Sequence, residues 1–386
     1  MKKLILSLTM LVALTAGVSA QEKEKKEKKI TLPAWVNNLK LSGFAMTQYQ
    51  YSSQEGAKSN TFNLRMLRLS LDGRILNDFY WKAQIQFNGN TSTLGNSPRV
   101  VDLFAEWQKY DFFRVKIGQF KRPFTFENPM NPIDQGFMGY AQNVSKLAGF
   151  SDRAGSHASN GRDIGLQFQG DFLKNNNGRY LLHYQIGVFN GQGINVKDVD
   201  QRKNIIGGVW VMPIAGMRLG VFGFEGSYAR KGTWTDEVTG EAKSGVRSLP
   251  QHRYAFSAEY VVNDWTFRSE YIHSTGEAFS HALSNTNKES DAYATDCSLS
   301  SNGSKADGVY ALVIAPIIKK KLHAKARYDM YRPSGDWSKA KTQYEIGMDY
   351  EFHKNFEISG EYAFINDRSL DKHNYSMIDV EVSFRF

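Results

Sequence analysis

The chain has few of the features that indicate a helical membrane protein or a disulfide-stabilised secreted domain. Its 386 residues include one cysteine, Cys297, which excludes an internal disulfide. After the N-terminal segment, the longest apolar run extends from Val309 to Ile318. A helix needs roughly 20 apolar residues to cross a bilayer, so this run is too short. The mean hydropathy of −0.46 likewise excludes a bundle of transmembrane helices.

Apolar and polar residues instead alternate along much of the chain. In the segment 79–88, Phe79, Trp81 and Ile85 fall on one face, and Lys82 and Gln84 fall on the other. A period of two indicates a β-strand with one apolar and one polar face. A soluble sandwich hides its apolar faces between two sheets. A transmembrane barrel turns its apolar face to lipid and its polar face to a water-filled lumen.

The N-terminus predicts export from the cytoplasm. Lys2 and Lys3 precede an apolar stretch that ends in the small residues Val18-Ser19-Ala20, which is typical of a signal peptide covering residues 1–20. Residues 21–37 open with a run of Lys and Glu and are predicted to form a charged periplasmic tail. The barrel domain is then predicted to cover residues 38–386.

The alternating segments number about sixteen, and every second connector between them is short. Outer-membrane barrels have an even number of strands, short periplasmic turns and long external loops. The segments 217–230 and 252–262 are predicted as neighbouring strands joined by a long loop, 231–251. The last strand ends on Phe386, as outer-membrane proteins commonly do. The sequence therefore predicts an all-β, transmembrane antiparallel β-barrel of about 16 strands in the outer membrane of a Gram-negative-type envelope.

Three motifs occur along the chain in the order that is expected of one known family. They are IGQFKRPFTFE at 117–127, GRDIGLQ at 161–167 and YQIGVFNG at 184–191. Together they resemble the phosphate-selective porin O and P family, and the likeness covers about residues 38–386. The resemblance implies a homotrimeric porin with a water-filled channel for passive diffusion of small hydrophilic solutes. Its partners would be outer-membrane lipid, further copies of the chain, and small anionic or neutral solutes; no cofactor or nucleic acid is expected.

The connector 121–161 is the longest in the chain and forms the third external loop by this count. In general diffusion porins this loop folds into the barrel, so we expect it to fold into the lumen here and to narrow it. Alternation predicts that Arg114 and Lys116 point inward, because Phe113, Val115 and Ile117 point outward. The candidate anion-binding or constriction residues are Arg114, Lys116, Lys121, Arg122, Lys146 and Arg153.

The inward-facing rows also contain carboxylates, so the rows by themselves do not decide whether the channel prefers anions or cations. Arg114 and Lys116 could instead pair across strands with Asp102 or Glu106, and so serve only the barrel wall. The formal net charge of +9 favours an anion-preferring interior, possibly phosphate-selective, over a cation-preferring one. The permeant solute cannot be named from the sequence.

Two other classes of function remain as alternatives. An outer-membrane barrel enzyme of the lipase or protease type would need a catalytic constellation, and the chain has no Gly-x-Ser-x-Gly nucleophile motif. The eight histidines have no metal-ligand spacing, and there is no second cysteine. A secreted soluble β-protein that binds glycans would purify without detergent. The porin hypothesis accounts for more of the pattern than either, and it predicts no enzymatic activity.

Overall fold

The computed structural model describes residues 36–88, 98–155, 159–281 and 296–386. In these ranges sixteen antiparallel strands form one closed barrel, where each strand pairs with its sequence neighbours and β16 pairs with β1. The predicted barrel is therefore confirmed. The strands are β1 (Val36–Ser52), β2 (Ser59–Ile75), β3 (Phe79–Gln86), β4 (Arg99–Tyr110), β5 (Phe113–Lys121), β6 (Arg162–Lys174), β7 (Tyr180–Phe189), β8 (Asn204–Val211), β9 (Met217–Thr235), β10 (Ala242–Val262), β11 (Trp265–Thr275), β12 (Lys305–Ile318), β13 (Leu322–Arg332), β14 (Lys341–His353), β15 (Phe356–Asp367) and β16 (Asn374–Arg385).

The N-terminal predictions can be compared with the structure only at their edge. The signal peptide predicted for 1–20 and nearly all of the tail predicted for 21–37 lie outside the described residues. The first strand begins at Val36, two residues before the predicted start of the barrel.

Helical structure is scarce in the described part of the chain. The helix α1 (Gln142–Leu147) and the 3-10 turns Pro132–Asp134 and Trp337–Lys339 all lie in loops. None of the described helices has the length and hydropathy needed to cross a bilayer.

The two faces of the barrel wall differ as the alternation predicts. In β10, Arg253, Ala255 and Ser257 are buried inside the barrel, while Tyr254 and Phe256 are 46% and 54% exposed on its outer face. Large apolar side chains are exposed in the same way on the outer face of most strands. This outer face is covered by lipid in a transmembrane barrel, so its exposure is favourable there.

Long and short connectors lie at opposite ends of the barrel. The loops at the end that is external in outer-membrane barrels are named L3 (122–161), L4 (190–203), L5 (236–241), L6 (276–304), L7 (333–340) and L8 (368–373), from the strand limits. Turns such as 263–264 and 354–355 occupy the other, periplasmic end.

The predicted long loop at 231–251 is wrong. Strands β9 and β10 continue pairing up to Thr235 and Ala242, so the hairpin extends well beyond the neighbouring strands and L5 is only a tight turn. The inner face of this extension packs Tyr228 and Leu249 against Phe279 and Cys297. Because these contacts come from distant parts of the chain, the local sequence did not reveal that the hairpin could be stabilised so far out.

Candidate functional site

The neck of L3, where the loop leaves β5 and returns to β6, is closed by a buried ion pair. Arg122 Nη2 donates to Asp163 Oδ2 at 3.0 Å, and the two side chains are 3% and 0% exposed. The Arg122 N–H also donates to the Gly161 carbonyl at 2.8 Å. Gly161 has a φ of +72°, and a Cβ there would lie 2.1 Å from Asn128 Oδ1. The left-handed backbone and this close approach favour glycine at the neck.

The apolar residues of L3 cover apolar side chains on the inside of the wall. Phe126 packs edge-to-face on Trp210 and Phe222, with ring centroids 5.6 and 5.4 Å apart. Phe124 packs in the same way on Phe222 and Phe224. Burying a phenylalanine side chain contributes about 1.5–3 kcal/mol. The loop therefore shields from water the aromatic residues that β8 and β9 direct inward.

Three inward carboxylates of the wall accept hydrogen bonds from main-chain N–H groups of L3. Glu270 Oε1 accepts two, Asp329 Oδ2 accepts one at 2.9 Å, and Glu361 accepts one at 3.0 Å. The donors are the N–H groups of Phe126, Glu127, Gln142 and Met138. All three carboxylates are nearly inaccessible to water. Each of these hydrogen bonds satisfies a main-chain donor of L3 that is buried against the wall, so these residues fix the path of the loop.

Three inward cations of the same wall donate to main-chain carbonyl groups of the loop tip. Arg268 Nη1 donates to Gln135 O at 3.2 Å, Lys325 Nζ to Gly136 O at 2.9 Å, and Arg327 Nη1 to Gly139 O at 2.7 Å. Each cation also pairs with a wall carboxylate; the partners are Glu259, Glu361 and Glu345. The inward charges of β11, β13 and β15 thus bind the loop backbone.

The returning half of L3 is held by arginines. Arg253 of β10 pairs with Asp152 at 2.5 Å, and both side chains are at most 3% exposed. Burial alone would raise the pKa of Asp152, but the charge and hydrogen bonds of Arg253 hold it below its ordinary value. Arg153 donates to the carbonyls of Gly276 and Gly303, both at 2.7 Å. L3 is therefore joined to the wall and to L6.

The tip of L3 reaches the periplasmic rim. Arg385, one residue before the C-terminus, pairs with Asp134 at 2.5 Å and donates to Ile133 O at 3.0 Å. These contacts place the 3-10 turn Pro132–Asp134 beside the end of β16. The loop consequently runs along the inside of β10–β16 for much of the height of the barrel.

The candidate cations predicted on β5 do not form one patch. Arg114 pairs with Asp171 at 2.6 Å, and Lys116 lies 3.8 Å from Glu106. Lys121 donates to the carbonyls of Asn128 and Met130 and to the Tyr140 hydroxyl. Arg122 belongs to the neck described above. For Lys116 the structure shows the cross-strand pair with Glu106 that the sequence left as an alternative.

Lys146, another predicted candidate, lines a cavity that the sequence did not reveal. The cavity has a volume of about 320 Å³ and lies between L3, L7 and L8. Lys339 and Lys341 line it as well, and its one carboxylate, Asp367, is 3.8 Å from Lys341. Desolvation by the surrounding protein, and then the charge of Lys341, lower the pKa of Lys146 although its side chain is exposed. Lys339 and Lys341 were missed because they lie almost 200 residues from Lys146 and show no local motif.

Metal chemistry finds no support in the described ranges. No group of three or more His, Cys, Asp or Glu side chains there is placed to hold a metal ion.

A comparison with protein-family models gives a match to the phosphate-selective porin O and P family over residues 39–197. The expected resemblance is thereby confirmed over residues 39–197. The matched range includes nearly all of β1, the strands β2–β7, the neck and the whole of L3, and it contains the three motifs noted in the sequence. A comparison with curated protein sequences gives no match.

Solved outer-membrane barrels share the fold. OmpF of Salmonella typhi in complex with daunomycin is 12% identical with a TM-score of 0.60, covering 91% of this chain and 98% of that one. The trimer form of OmpT of Vibrio cholerae is 12% identical with a TM-score of 0.56, covering 91% and 99%. The channel DcaP of Acinetobacter baumannii is 12% identical with a TM-score of 0.56, covering 90% and 97%. At such identities the likeness concerns the barrel alone.

Proposed function

We propose that this protein is an outer-membrane porin that conducts small hydrophilic solutes passively and prefers anions. The family match, the porin-type barrel and the loop inside it support the channel. The hydrogen bonds of L3 to the wall concentrate on β10–β16, so the solute path would run between L3 and the wall formed by β1–β6. No energy source is required, because solutes move down their gradients.

The lysine-lined cavity is the observation that favours anions. Lys146 comes from L3, Lys339 and Lys341 come from L7 and the start of β14, and Asp367, a carboxylate in the same lining, lies 3.8 Å from Lys341. Lysines in a partly desolvated vestibule attract anions and replace part of their hydration. The cavity lies among the external loops beside the proposed path, so its charge would act on an entering solute through the field at the channel mouth. Whether phosphate is preferred over chloride depends on how closely the three ammonium groups can approach one ion.

The wall of β2–β6 adds positive charge deeper in the proposed path. Arg68 donates from Nε to the neutral Gln86 side chain at 2.9 Å, and Lys121 bonds neutral oxygens. These charges act through the field in the lumen, because field strength in a narrow low-dielectric passage exceeds that in bulk water.

The proposal is tested by the reversal potential of the purified protein in a planar bilayer under a potassium chloride gradient. We expect anion preference for the wild type, and a reduced preference for a variant carrying Lys146→Gln, Lys339→Gln and Lys341→Gln. Lys243→Gln, in the L5 hairpin, is the matched control and should leave the preference unchanged. Cation preference of the wild type would contradict the proposal. Phosphate added as a competitor of chloride then tests phosphate binding.

We also propose that the protein is exported by the signal peptide at 1–20 and assembles as a homotrimer. The apolar N-terminal stretch that ends in Val18-Ser19-Ala20 supports export, and the trimer form of OmpT together with the family resemblance supports the homotrimer. Cross-linking in isolated outer membranes, followed by electrophoresis, should give a trimer; a monomer alone would contradict it.

A further inference from the structure

The contact between L3 and strands β11–β13 encloses a row of inward polar side chains. Glu270 of β11 lies opposite Tyr310 of β12, and Tyr310 lies opposite Asp329 of β13. Side chains that are paired in this way are neighbours on one face of the sheet. Glu127 of L3 covers the row, because its N–H donates to Glu270 Oε1 at 3.2 Å and its side chain interacts electrostatically with Asp329. We call Glu127, Glu270 and Asp329 the carboxyl cluster; each is at most 1% exposed.

Each carboxyl group of the cluster uses one oxygen to accept hydrogen bonds from main-chain N–H groups of L3. Glu270 and Asp329 do so as described above, and Glu127 Oε1 accepts from the Ala141 N–H at 3.2 Å. The second oxygen of each group has no hydrogen-bond partner among the described residues; these atoms are Glu127 Oε2, Glu270 Oε2 and Asp329 Oδ1. Buried polar atoms are rarely left in this state. The cluster therefore has room for further hydrogen bonds that the side chains around it do not supply.

The charge of the cluster is not balanced by neighbouring cations. Arg268 and Arg327 face it, but they pair with Glu259 and Glu345, and Glu259 also pairs with Arg218 of β9. Within the described ranges no cation forms an ion pair with a member of the cluster, and its carboxyl groups are not placed to hold a metal ion together. Burial without a partner strongly disfavours the ionised form of a carboxyl group.

Two hydroxyl groups border the cluster. The Tyr310 hydroxyl lies beside Glu127, and the Ser257 hydroxyl of β10 lies beside Glu270, its partner in the strand register across β11. Both side chains are buried, yet neither hydroxyl forms a hydrogen bond of normal geometry with a described residue. A hydroxyl group can accept from a protonated carboxyl and donate to an ionised one. An added proton would therefore link these free oxygens into one hydrogen-bonded network.

We propose that the carboxyl cluster holds a proton while L3 lies on the wall, and that loss of this proton at alkaline pH loosens the loop. Without the proton, ionised carboxyl groups of the loop and of the wall face each other, and their repulsion is relieved when L3 moves away and water reaches Glu127. The cluster is thus a pH-sensitive latch. Because L3 lies inside the barrel, its release changes the width of the lumen.

The direction of the pH effect follows from the number of protons bound in each state. Carboxyl groups that are exposed to water ionise near about pH 4, so at neutral pH the released loop and the bare wall hold no proton. The latched state holds at least one. Raising the pH therefore favours release, and the equilibrium constant for release rises by up to about tenfold per pH unit for one proton.

Glutamine and asparagine substitutions imitate the protonated cluster. Glu127→Gln has no charge at any pH, and its amide group supplies hydrogen-bond donors in the place of Glu127 Oε2. Asp329→Asn makes the same replacement on the wall, so it serves as a second variant if Glu127→Gln folds poorly. Glu106→Gln is the matched control, because Glu106 is a buried inward carboxylate of β4 that lies 3.8 Å from Lys116.

The measurement is amide hydrogen exchange of the full, detergent-purified protein between about pH 6 and about pH 10, a range above the ionisation of exposed carboxyl groups. Each rate is divided by that of an unstructured peptide at the same pH. For the peptides 124–130 and 140–145, we expect protection in the wild type and in Glu106→Gln to fall by up to about tenfold per pH unit. Each single cluster variant should weaken this dependence, and the double variant Glu127→Gln, Asp329→Asn should abolish it.

Infrared difference spectra over the same pH range report the proton directly. The carbonyl-stretch band of a protonated carboxyl group should be present in the wild type at neutral pH, disappear on alkalinisation, and be absent from the double variant. A wild type without this band would hold only ionised carboxylates, and this would overturn the proposal.

Two exchange results would also overturn it. One is protection of L3 that does not depend on pH in the wild type, or that depends on it equally in the double variant. The other is a parallel loss of protection in the barrel strands, which would mean that the barrel unfolds rather than that the loop is released. Ion conduction enters none of these measurements, so the latch and the proposed channel function can fail separately.

Discussion

The inner wall of the barrel uses charged residues in two different ways. On β10–β15, carboxylates such as Glu270 and cations such as Arg327 bind the main chain of L3. On β3–β6, charged side chains such as Lys116, Arg114 and Arg162 pair with Glu106, Asp171 and Asp102, whereas Lys121, at the end of β5, binds the loop as well. The same inward alternation produces both walls. The comparison shows that an inward charge is not by itself a sign of a pore-lining residue.

Removal of Arg253 should have the largest effect among the contacts by which β10–β15 bind L3. Arg253→Met leaves Asp152 buried without its partner, which costs about 3–5 kcal/mol. Amide hydrogen exchange of residues 147–155 should therefore accelerate strongly. Adding Asp152→Asn should recover part of the protection, since it removes the uncompensated charge. Unchanged exchange in Arg253→Met would mean that the returning half of L3 is held by its other contacts.

A pair of matched glutamate variants compares the two walls directly. Glu270→Gln should weaken the two hydrogen bonds that the carboxyl group accepts from the loop, at about 0.5–1.5 kcal/mol for a typical hydrogen bond. Exchange of the Phe126 and Glu127 amides should rise accordingly. Glu106→Gln changes a carboxylate that accepts from Gln108 and Gln169, so L3 should be unaffected. Equal effects of the two variants would contradict the distinction between the walls.

The pH dependence of the anion preference shows whether the lysine-lined cavity or the β2–β6 wall sets that preference. Lys146 has a lowered pKa, so it is charged below that pKa and loses its charge earlier than an ordinary lysine as pH rises. We expect anion preference to decline on alkalinisation before the ordinary lysine pKa of 10.5 is reached. Lys146→Gln should remove this early decline. If the decline persists in Lys146→Gln and disappears in Lys116→Gln, the wall sets the selectivity.

The smallest effect is expected at the tip of L3. The Arg385–Asp134 pair is 45% and 38% exposed, and exposed ion pairs contribute up to about 1 kcal/mol. Arg385→Gln should raise amide exchange of residues 133–136 only slightly, and less in high salt. A collapse of protection throughout L3 would show that the tip contact holds the whole loop.

The sequence predicted the barrel well because its evidence is local. Alternation gave the strands, and the lengths of the connectors gave the two ends. It failed at 231–251, where pairing is stabilised by Phe279 and Cys297 from L6. It also selected Lys146 without finding Lys339 and Lys341, because the three meet only when L3 and L7 fold against each other. The motifs at 117–127 and 161–167 carried the family resemblance, and they contain the neck residues Arg122, Gly161 and Asp163.

The sequence by itself determined which side chains face lipid and which face the interior, because successive side chains of a strand point to opposite faces. Only the tertiary structure decided what each inward charge binds. Glu270 meets Phe126 across 144 residues of chain, and Arg253 meets Asp152 across 101. Such partners are fixed by closure of the sheet and by the course of L3, which no local pattern encodes.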